Sequence, residues 1–245
     1  MDLTGKVALV TGAAVGIGRA TALLMAERGA NLALLDVNTE KLESVQAECA
    51  RWGRDVLIYT CDISDETRVN EVTAAAIAHF GKIDVLVNNA ALWREFTPFL
   101  ELSTESWRRF FDINVMGTVY VTKAVLPVMV AHEFGRVINV ASVAGVYGNA
   151  KMSHYSATKG AIISFTKALA KEMAANGVTV NAVSPGTVSG SDNEDIDAVT
   201  PNELSYMGRT GSDRENAELI CFLAGDTAGY ISGQNIQIDG CRKKI

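Results

Sequence analysis

Seven short runs rich in Val, Ile and Leu punctuate the chain, at 7–10, 32–35, 56–59, 83–87, 137–140, 178–183 and 236–238. They lack the polar alternation of a strand with one wet face, so each predicts a strand buried on both faces. Longer stretches between them, such as 18–28 and 69–80, repeat apolar residues at helical spacing. Strands alternating with helices predict an α/β fold: a doubly wound, seven-stranded parallel sheet with helices on both faces. The 245 residues suit one such core, so a single domain over 1–245 is expected.

The periodicity fails in one place. Between Thr187 and Leu204, Asp192, Glu194, Asp195 and Asp197 crowd a stretch that also holds Gly190, Asn193 and Pro201. A solvated loop and a substrate lid over roughly 187–207 both fit this pattern.

Composition narrows the function classes. Hydrophobic residues make up 48% and charged residues 20%, with 21 Gly and 4 Pro, which excludes a disordered or collagen-like chain. The 22 Lys and Arg against 28 Asp and Glu give a net charge of −6, the reverse of a nucleic-acid footprint, so no nucleic-acid partner is expected. No basic leader precedes an apolar stretch, and no run approaches roughly 18 uninterrupted apolar residues. A cytoplasmic protein with no membrane partner is therefore expected. Cys49, Cys61, Cys221 and Cys241 form no C-x-x-C pair, and His79, His132 and His154 lack ligand spacing. Reduced thiols and no metal are expected.

The first candidate chemistry lies after the first strand, which runs into Thr11-Gly12-Ala13-Ala14-Val15-Gly16-Ile17-Gly18 and then a helix. Glycines allow a tight turn and a close approach of backbone to a pyrophosphate, which meets the N–H groups and positive dipole end of that helix. Asp36 follows the second strand, eighteen residues after Gly18, where a carboxylate accepts hydrogen bonds from a ribose diol. A 2′-phosphate would meet like charge there, and no Arg or Lys lies within the turn or immediately after Asp36 to offset it. NAD is therefore the expected cofactor. Helix capping is the plainer role for Asp36.

Tyr155 and Lys159 in Tyr155-Ser156-Ala157-Thr158-Lys159 stand one helical turn apart on one face. A cation that close favours phenolate, so the phenol is expected to titrate below its free value of roughly 10. Ser142, thirteen residues earlier, follows a strand and so lies at the carboxyl edge where open α/β sheets bind ligands.

These motifs together resemble the classical short-chain dehydrogenase/reductase family over essentially the whole chain, which implies a Rossmann fold. The family's glycine turn is matched by Thr11 to Gly18, its adenine-side acid by Asp62 before Ile63, and its central strand end by Asn88-Asn89-Ala90-Ala91. Asn114, Ser142, Tyr155 and Lys159 match its catalytic set, and Pro185-Gly186 its Pro-Gly turn. The resemblance implies that Tyr155 is the general acid/base, that Lys159 lowers its pKa and bridges the nicotinamide ribose, that Ser142 orients the substrate oxygen, and that Asn114 holds a proton-relaying water. It also implies cofactor contacts from Gly12, Val15, Gly16, Ile17, Gly18, Asp36, Asp62, Ile63, Asn89, Ala90, Tyr155, Lys159, Pro185, Gly186 and Val188. The family usually has Gly where Ala91 stands, a second Gly where Cys241 stands, and Thr near Ser189-Gly190. Thr187, Val188 or Ser189 would have to replace that Thr.

The expected reaction is hydride transfer between NAD and a secondary alcohol or ketone. Trp93, Phe96, Phe99, Tyr147, Met152 and His154 suggest an apolar mouth with Arg94 as the nearby cation, which fits a small hydrophobic or cyclic molecule such as a hydroxysteroid. Trp107, Phe110, Phe111, Ile113 and Val115 are read as core. A 3-oxoacyl group on an acidic carrier protein is the alternative, disfavoured because 131–135 and 174–177 lack Lys and Arg. A dinucleotide-binding sensor or scaffold needs no Ser142, Tyr155 and Lys159, and no G-x-S-x-G elbow signals a hydrolase. Sugar epimerases of the family's extended branch carry a further substrate domain. Family members pair through the helices carrying Asn114 and Tyr155, so a homotetramer is expected.

Overall fold

The computed structural model of the protein describes residues 1–189 and 194–243; Gly190, Asp192 and Asn193 of the expected lid lie outside them. Seven strands form: β1 (Val7–Thr11), β2 (Asn31–Asp36), β3 (Val56–Thr60), β4 (Val85–Asn88), β5 (Gly135–Val140), β6 (Val178–Pro185) and β7 (Asn235–Ile238). They pair in the order β3-β2-β1-β4-β5-β6-β7, parallel throughout. The strand order reverses between β1 and β4, and the carboxyl ends there open the crevice in which such sheets take ligands.

Period-two alternation gives the five inner strands two buried faces, whereas β3 and β7, at the sheet edges, are only partly covered, contrary to the expectation from their apolar runs. Ala8 and Val10 of β1 join Leu32, Leu34, Val85, Val87, Ile138 and Val140 in a cluster with α1 (Gly16–Glu27), α2 (Thr39–Ala50) and α8 (Asp213–Ala224). Val7, Leu9, Ala33, Leu35, Leu86 and Val137 face the other way, onto α3 (Glu66–Phe80), α5 (Thr118–Ala131) and α7 (Ser153–Met173). Two further helices, α4 (Thr104–Phe111) and the short α6 (Ala144–Tyr147), lie at the carboxyl edge.

Side-chain caps define several helix starts. Asn38 accepts from the Lys41 N–H at 3.0 Å, Asp65 from Arg68 at 3.0 Å and Ser103 from Ser106 at 3.0 Å. Ser212 and Glu215 form a reciprocal capping box at α8. Because Asn38 caps α2, the plainer role for Asp36 falls away.

Two boundaries depart from the sequence pattern. β4 starts at Val85 and not at 83; just before it the Val7 N–H donates to the Asp84 carboxylate at 2.8 Å, while the Asp84 backbone still bonds Val7 and Arg136. The stretch between α4 and α5 is a π-helical turn, Asp112–Gly117, so one helix runs continuously over Thr104–Ala131. By length and composition that helix is long and apolar enough to cross a membrane, a property that counting uninterrupted apolar residues does not reveal. Its Val121, Val125 and Met129 are buried against the sheet.

Candidate active site

The crevice is built outward from β1. Thr11 ends that strand, and its hydroxyl accepts from the N–H groups of Asn89 (3.0 Å) and Ala90 (3.1 Å), locking the glycine turn to the end of β4. The Asn89 amide completes the lock by donating to the carbonyls of Thr11 (3.1 Å) and Gly12 (2.9 Å). A Cβ on Gly18 would stand 1.9 Å from the Gly12 carbonyl oxygen, so no larger residue fits there. Gly16 takes φ +56°, a conformation that favours glycine. The turn delivers α1 with no side-chain cap at Val15 and no acidic residue in its first turn. Bare N–H groups at the positive end of a helix suit a diphosphate.

Asp36 lies beside that turn, one carboxylate oxygen accepting from Ala14 N–H (3.0 Å) and the other from Asn38 N–H (3.0 Å). A carboxylate offers about four acceptor sites, so each oxygen retains capacity for a diol. The nearest candidate for a phosphate-binding cation, Arg19, is engaged: it donates to both Glu48 oxygens (3.2 and 2.7 Å) and to the Glu194 carbonyl (2.8 Å). Just past β3, Asp62 accepts from the N–H and hydroxyl of Ser64 through one oxygen. Ile63 is buried against Gly117 of the π turn, whose extra Cβ would meet it at 2.7 Å.

At the other end of the crevice, Ser142 follows β5 and α7 presents Tyr155 and Lys159. Gly145 allows their approach, since a Cβ there would come within 2.5 Å of the Lys159 backbone carbonyl carbon. The Ser142 hydroxyl accepts from Ala144 N–H at 3.1 Å and lies near the Tyr155 phenol. The Lys159 ammonium is buried, donates to the Val140 carbonyl at 2.7 Å and stands 5.8 Å from the Tyr155 ring centroid. Burial lowers its pKa to about 8.

One expectation is overturned. Burial pushes the Tyr155 phenol above its ordinary value, with Ser142 pulling weakly the other way, instead of a neighbouring cation drawing it down. The physical reason is that desolvation penalises the phenolate while the ammonium is directed at Val140.

Asn114 is held by protein groups on both sides of its amide. Its side-chain oxygen accepts from Leu92 N–H (2.7 Å), and its amide donates to the Leu92 carbonyl (2.9 Å) and the Thr158 hydroxyl (3.1 Å). The side chain is a clamp between segments, with both donors used by protein atoms. Asn88 likewise ties β4 inward, donating to Thr122 (2.9 Å) and to Asn139 (2.9 Å).

Beyond β6, Gly186 donates its N–H to Ile238 and packs against Asp239, while Val188 bridges to Gly211. The Ser189 hydroxyl is taken up by Ala198 and Thr210, which leaves Thr187 and Val188 of the three candidates near the Pro185-Gly186 turn. The described part of the expected lid is pinned: Arg214 pairs with Asp197 at 2.7 Å, and Ile196 packs against the same core cluster as Val15 and Ile17. Phe96, Tyr147 and Met152 line one cavity as expected, but His154 is fully buried against Phe110 and Phe99 packs on Trp107.

Thr11, Gly145, Thr158 and Arg19 were missed as positioning residues by the sequence reading. Thr11 and Thr158 sit inside motifs that were recognised, so adjacency was the available signal. Arg242 and Lys243 also line that cavity, and nothing in their local sequence points there.

A family model described as short chain dehydrogenase matches residues 6–198. The chain is 39% identical over 243 residues to a 3-oxoacyl-(acyl-carrier-protein) reductase of Thermotoga maritima, covering 98% of each. It is 36% identical to a sorbitol dehydrogenase of Cereibacter sphaeroides, again over 98% of each. Among solved structures, an NAD+-bound xylitol dehydrogenase superposes with a TM-score of 0.91 at 35% identity, over 98% of this chain and 100% of that one.

Proposed function

Because this chain belongs to the short-chain dehydrogenase family and is an alcohol/ketone oxidoreductase using a nicotinamide dinucleotide, we propose that it pairs NAD with a secondary alcohol or ketone of a small, largely apolar or cyclic molecule, of the hydroxysteroid type. One observation supports this most directly: Tyr155, half-buried and near Ser142, has the buried ammonium of Lys159 5.8 Å from its ring centroid.

The bound nicotinamide supplies or accepts the hydride. Ser142 holds the substrate oxygen by donating a hydrogen bond, and Tyr155 exchanges the proton with it. A phenol kept protonated by burial is the form that donates to the oxygen of a ketone as charge develops there. Lys159 supplies the positive charge that favours the reverse, proton-accepting state. Asn114 acts by position, clamping Leu92 to Thr158, the residue next to Lys159.

The diphosphate fits the uncapped start of α1, with Gly12, Val15, Gly16, Ile17 and Gly18 letting backbone approach it. Asp36 takes the ribose diol and Asp62 with Ile63 the adenine side. Asn89 and Ala90 hold the floor at β4, and Pro185, Gly186 and Val188 flank the nicotinamide end. The preference for NAD rests on the Asp36 charge and on the engagement of Arg19 by Glu48.

A carrier-bound 3-oxoacyl substrate is the second reading, favoured by the relative from Thermotoga maritima. Absorbance of reduced nicotinamide, followed with secondary alcohols, steroids, polyols and 3-oxoacyl thioesters against both NAD and NADP, separates the two. Preference for NAD and a ring-bearing alcohol is expected, and NADP-linked reduction of the thioester would overturn the first reading. Tyr155→Phe is expected to abolish turnover of the best substrate while leaving cofactor affinity within about twofold. Retained turnover would remove Tyr155 from the proton-transfer role.

A further inference from the structure

The segment that joins Ser142 to Tyr155 lines a cavity of about 330 Å³ with Tyr147, Gly148, Asn149, Ala150 and Met152. Phe96, Tyr147, Met152 and Leu204 give it apolar walls, but Arg242 and Lys243 also line it. Both cations arrive by a specific fold-back. Gly240 and Cys241 turn the chain with φ +61° and +57°, and residues 204–207 then pair with it. Met207 N–H donates to Gly240, Tyr206 N–H to Cys241 and Lys243 N–H to Leu204, and Ser205 bridges antiparallel to Arg242. A non-glycine residue persists in the left-handed region only where its surroundings over-determine it, so the placement of Arg242 is held by structure.

Arg242 is fixed further by a hydrogen bond to the Asn149 side-chain oxygen at 3.2 Å. No carboxylate among the described residues forms an ion pair with Arg242 or Lys243, in a chain whose net charge is −6. One bond to Asn149 leaves most of the guanidinium fork, the geometry that matches carboxylate and phosphate oxygens.

We propose that Arg242, assisted by Lys243, binds an anionic oxygen group of the substrate, a carboxylate or phosphate borne at the end remote from the reacting carbon. The proposal rests on the dehydrogenase reading of this site and names the substrate class within it: an apolar or cyclic body lies against Phe96 and Met152 while its charged end meets Arg242. A purely hydrocarbon body would leave Arg242 with only its bond to Asn149 and Lys243 with only the face of the Tyr206 ring.

The test uses the full chain saturated with NAD and three probes: 4-hydroxycyclohexanecarboxylate, 4-hydroxycyclohexyl phosphate and neutral 4-methylcyclohexanol. One or both anions are expected to show a KM at least about tenfold below that of the neutral alcohol. Arg242→Gln should raise that KM about tenfold or more with kcat within about twofold, leave the neutral alcohol unchanged, and be partly rescued by Arg242→Lys. Which anion responds identifies the group. Equal effects of Arg242→Gln on anionic and neutral alcohols would overturn the proposal and leave the dehydrogenase reading standing. Calorimetric titration of the enzyme–NADH complex with cyclohexanecarboxylate and cyclohexyl phosphate is independent of turnover. Binding lost in Arg242→Gln supports the anion site even if no alcohol is oxidised, in which case the dehydrogenase reading fails alone. Absence of anion binding by the unaltered chain also overturns the proposal.

Discussion

Asp213 opens α8 almost out of reach of water, and burial raises its carboxyl pKa to about 7, opposed by Arg19. The folded chain therefore holds a proton that the unfolded chain releases near 3.8. Stability from this group is present at low pH, declines as pH rises between those two values and is lost above about 7. Asp213→Asn is expected to stabilise the protein by about 1–3 kcal/mol at pH 8 and by almost nothing near pH 4. Thermal denaturation followed by circular dichroism at both pH values checks this, and an equal shift at both would sink it. Among the candidate residues, spacing and strand ends were enough to bring Ser142, Tyr155 and Lys159 to one end of the crevice. The direction of the Tyr155 shift was not legible, because helical spacing reports proximity to a cation but not how deeply the phenol is buried or where the ammonium points.

Between elements, the chief polar contact is a chain of buried amides and hydroxyls. Asn88 on β4 donates to Thr122 on α5 and to Asn139 on β5, and Asn139 donates at 2.9 Å to Thr166 on α7. Removing the middle link strands a buried donor on one side and a hydroxyl on the other. Asn139→Ala is expected to cost about 2–4 kcal/mol, read as a lower urea midpoint with an unchanged slope. A loss under about 0.5 kcal/mol would mean the network is not cooperative. The strands were legible as apolar runs, dry in the five inner strands and partly exposed in the edge strands β3 and β7, and four helix starts carried ordinary capping residues. The π turn at Asp112–Gly117 was not, since it depends on Asn114 reaching Leu92, a segment 22 positions away in the chain.

For the molecule as a whole, the continuous helix Thr104–Ala131 leaves much of its surface uncovered. Its most apolar window is only 39% buried, although its mean hydropathy is 1.5. A stripe of that kind on a folded chain calls for a partner surface. A homotetramer formed through this helix and α7 is the expected assembly, to be read as four chain masses by size exclusion with light scattering. A monomer at micromolar concentration would contradict it. The alternation of elements foretold a doubly wound sheet, and hence the crevice between β1 and β4. The position of Arg242 was beyond any such reading, because it depends on residues 240–243 crossing back over 204–207.

Arg19 grips Glu48 on α2 and the Glu194 carbonyl of the segment after β6, one residue beyond the glycine turn. Whatever settles against that turn and whatever closes over it thus share a single tether. By reciprocity, a ligand that strengthens the hold of Arg19 on Glu194 is itself bound more tightly once the segment is down, and loosening either grip weakens the other.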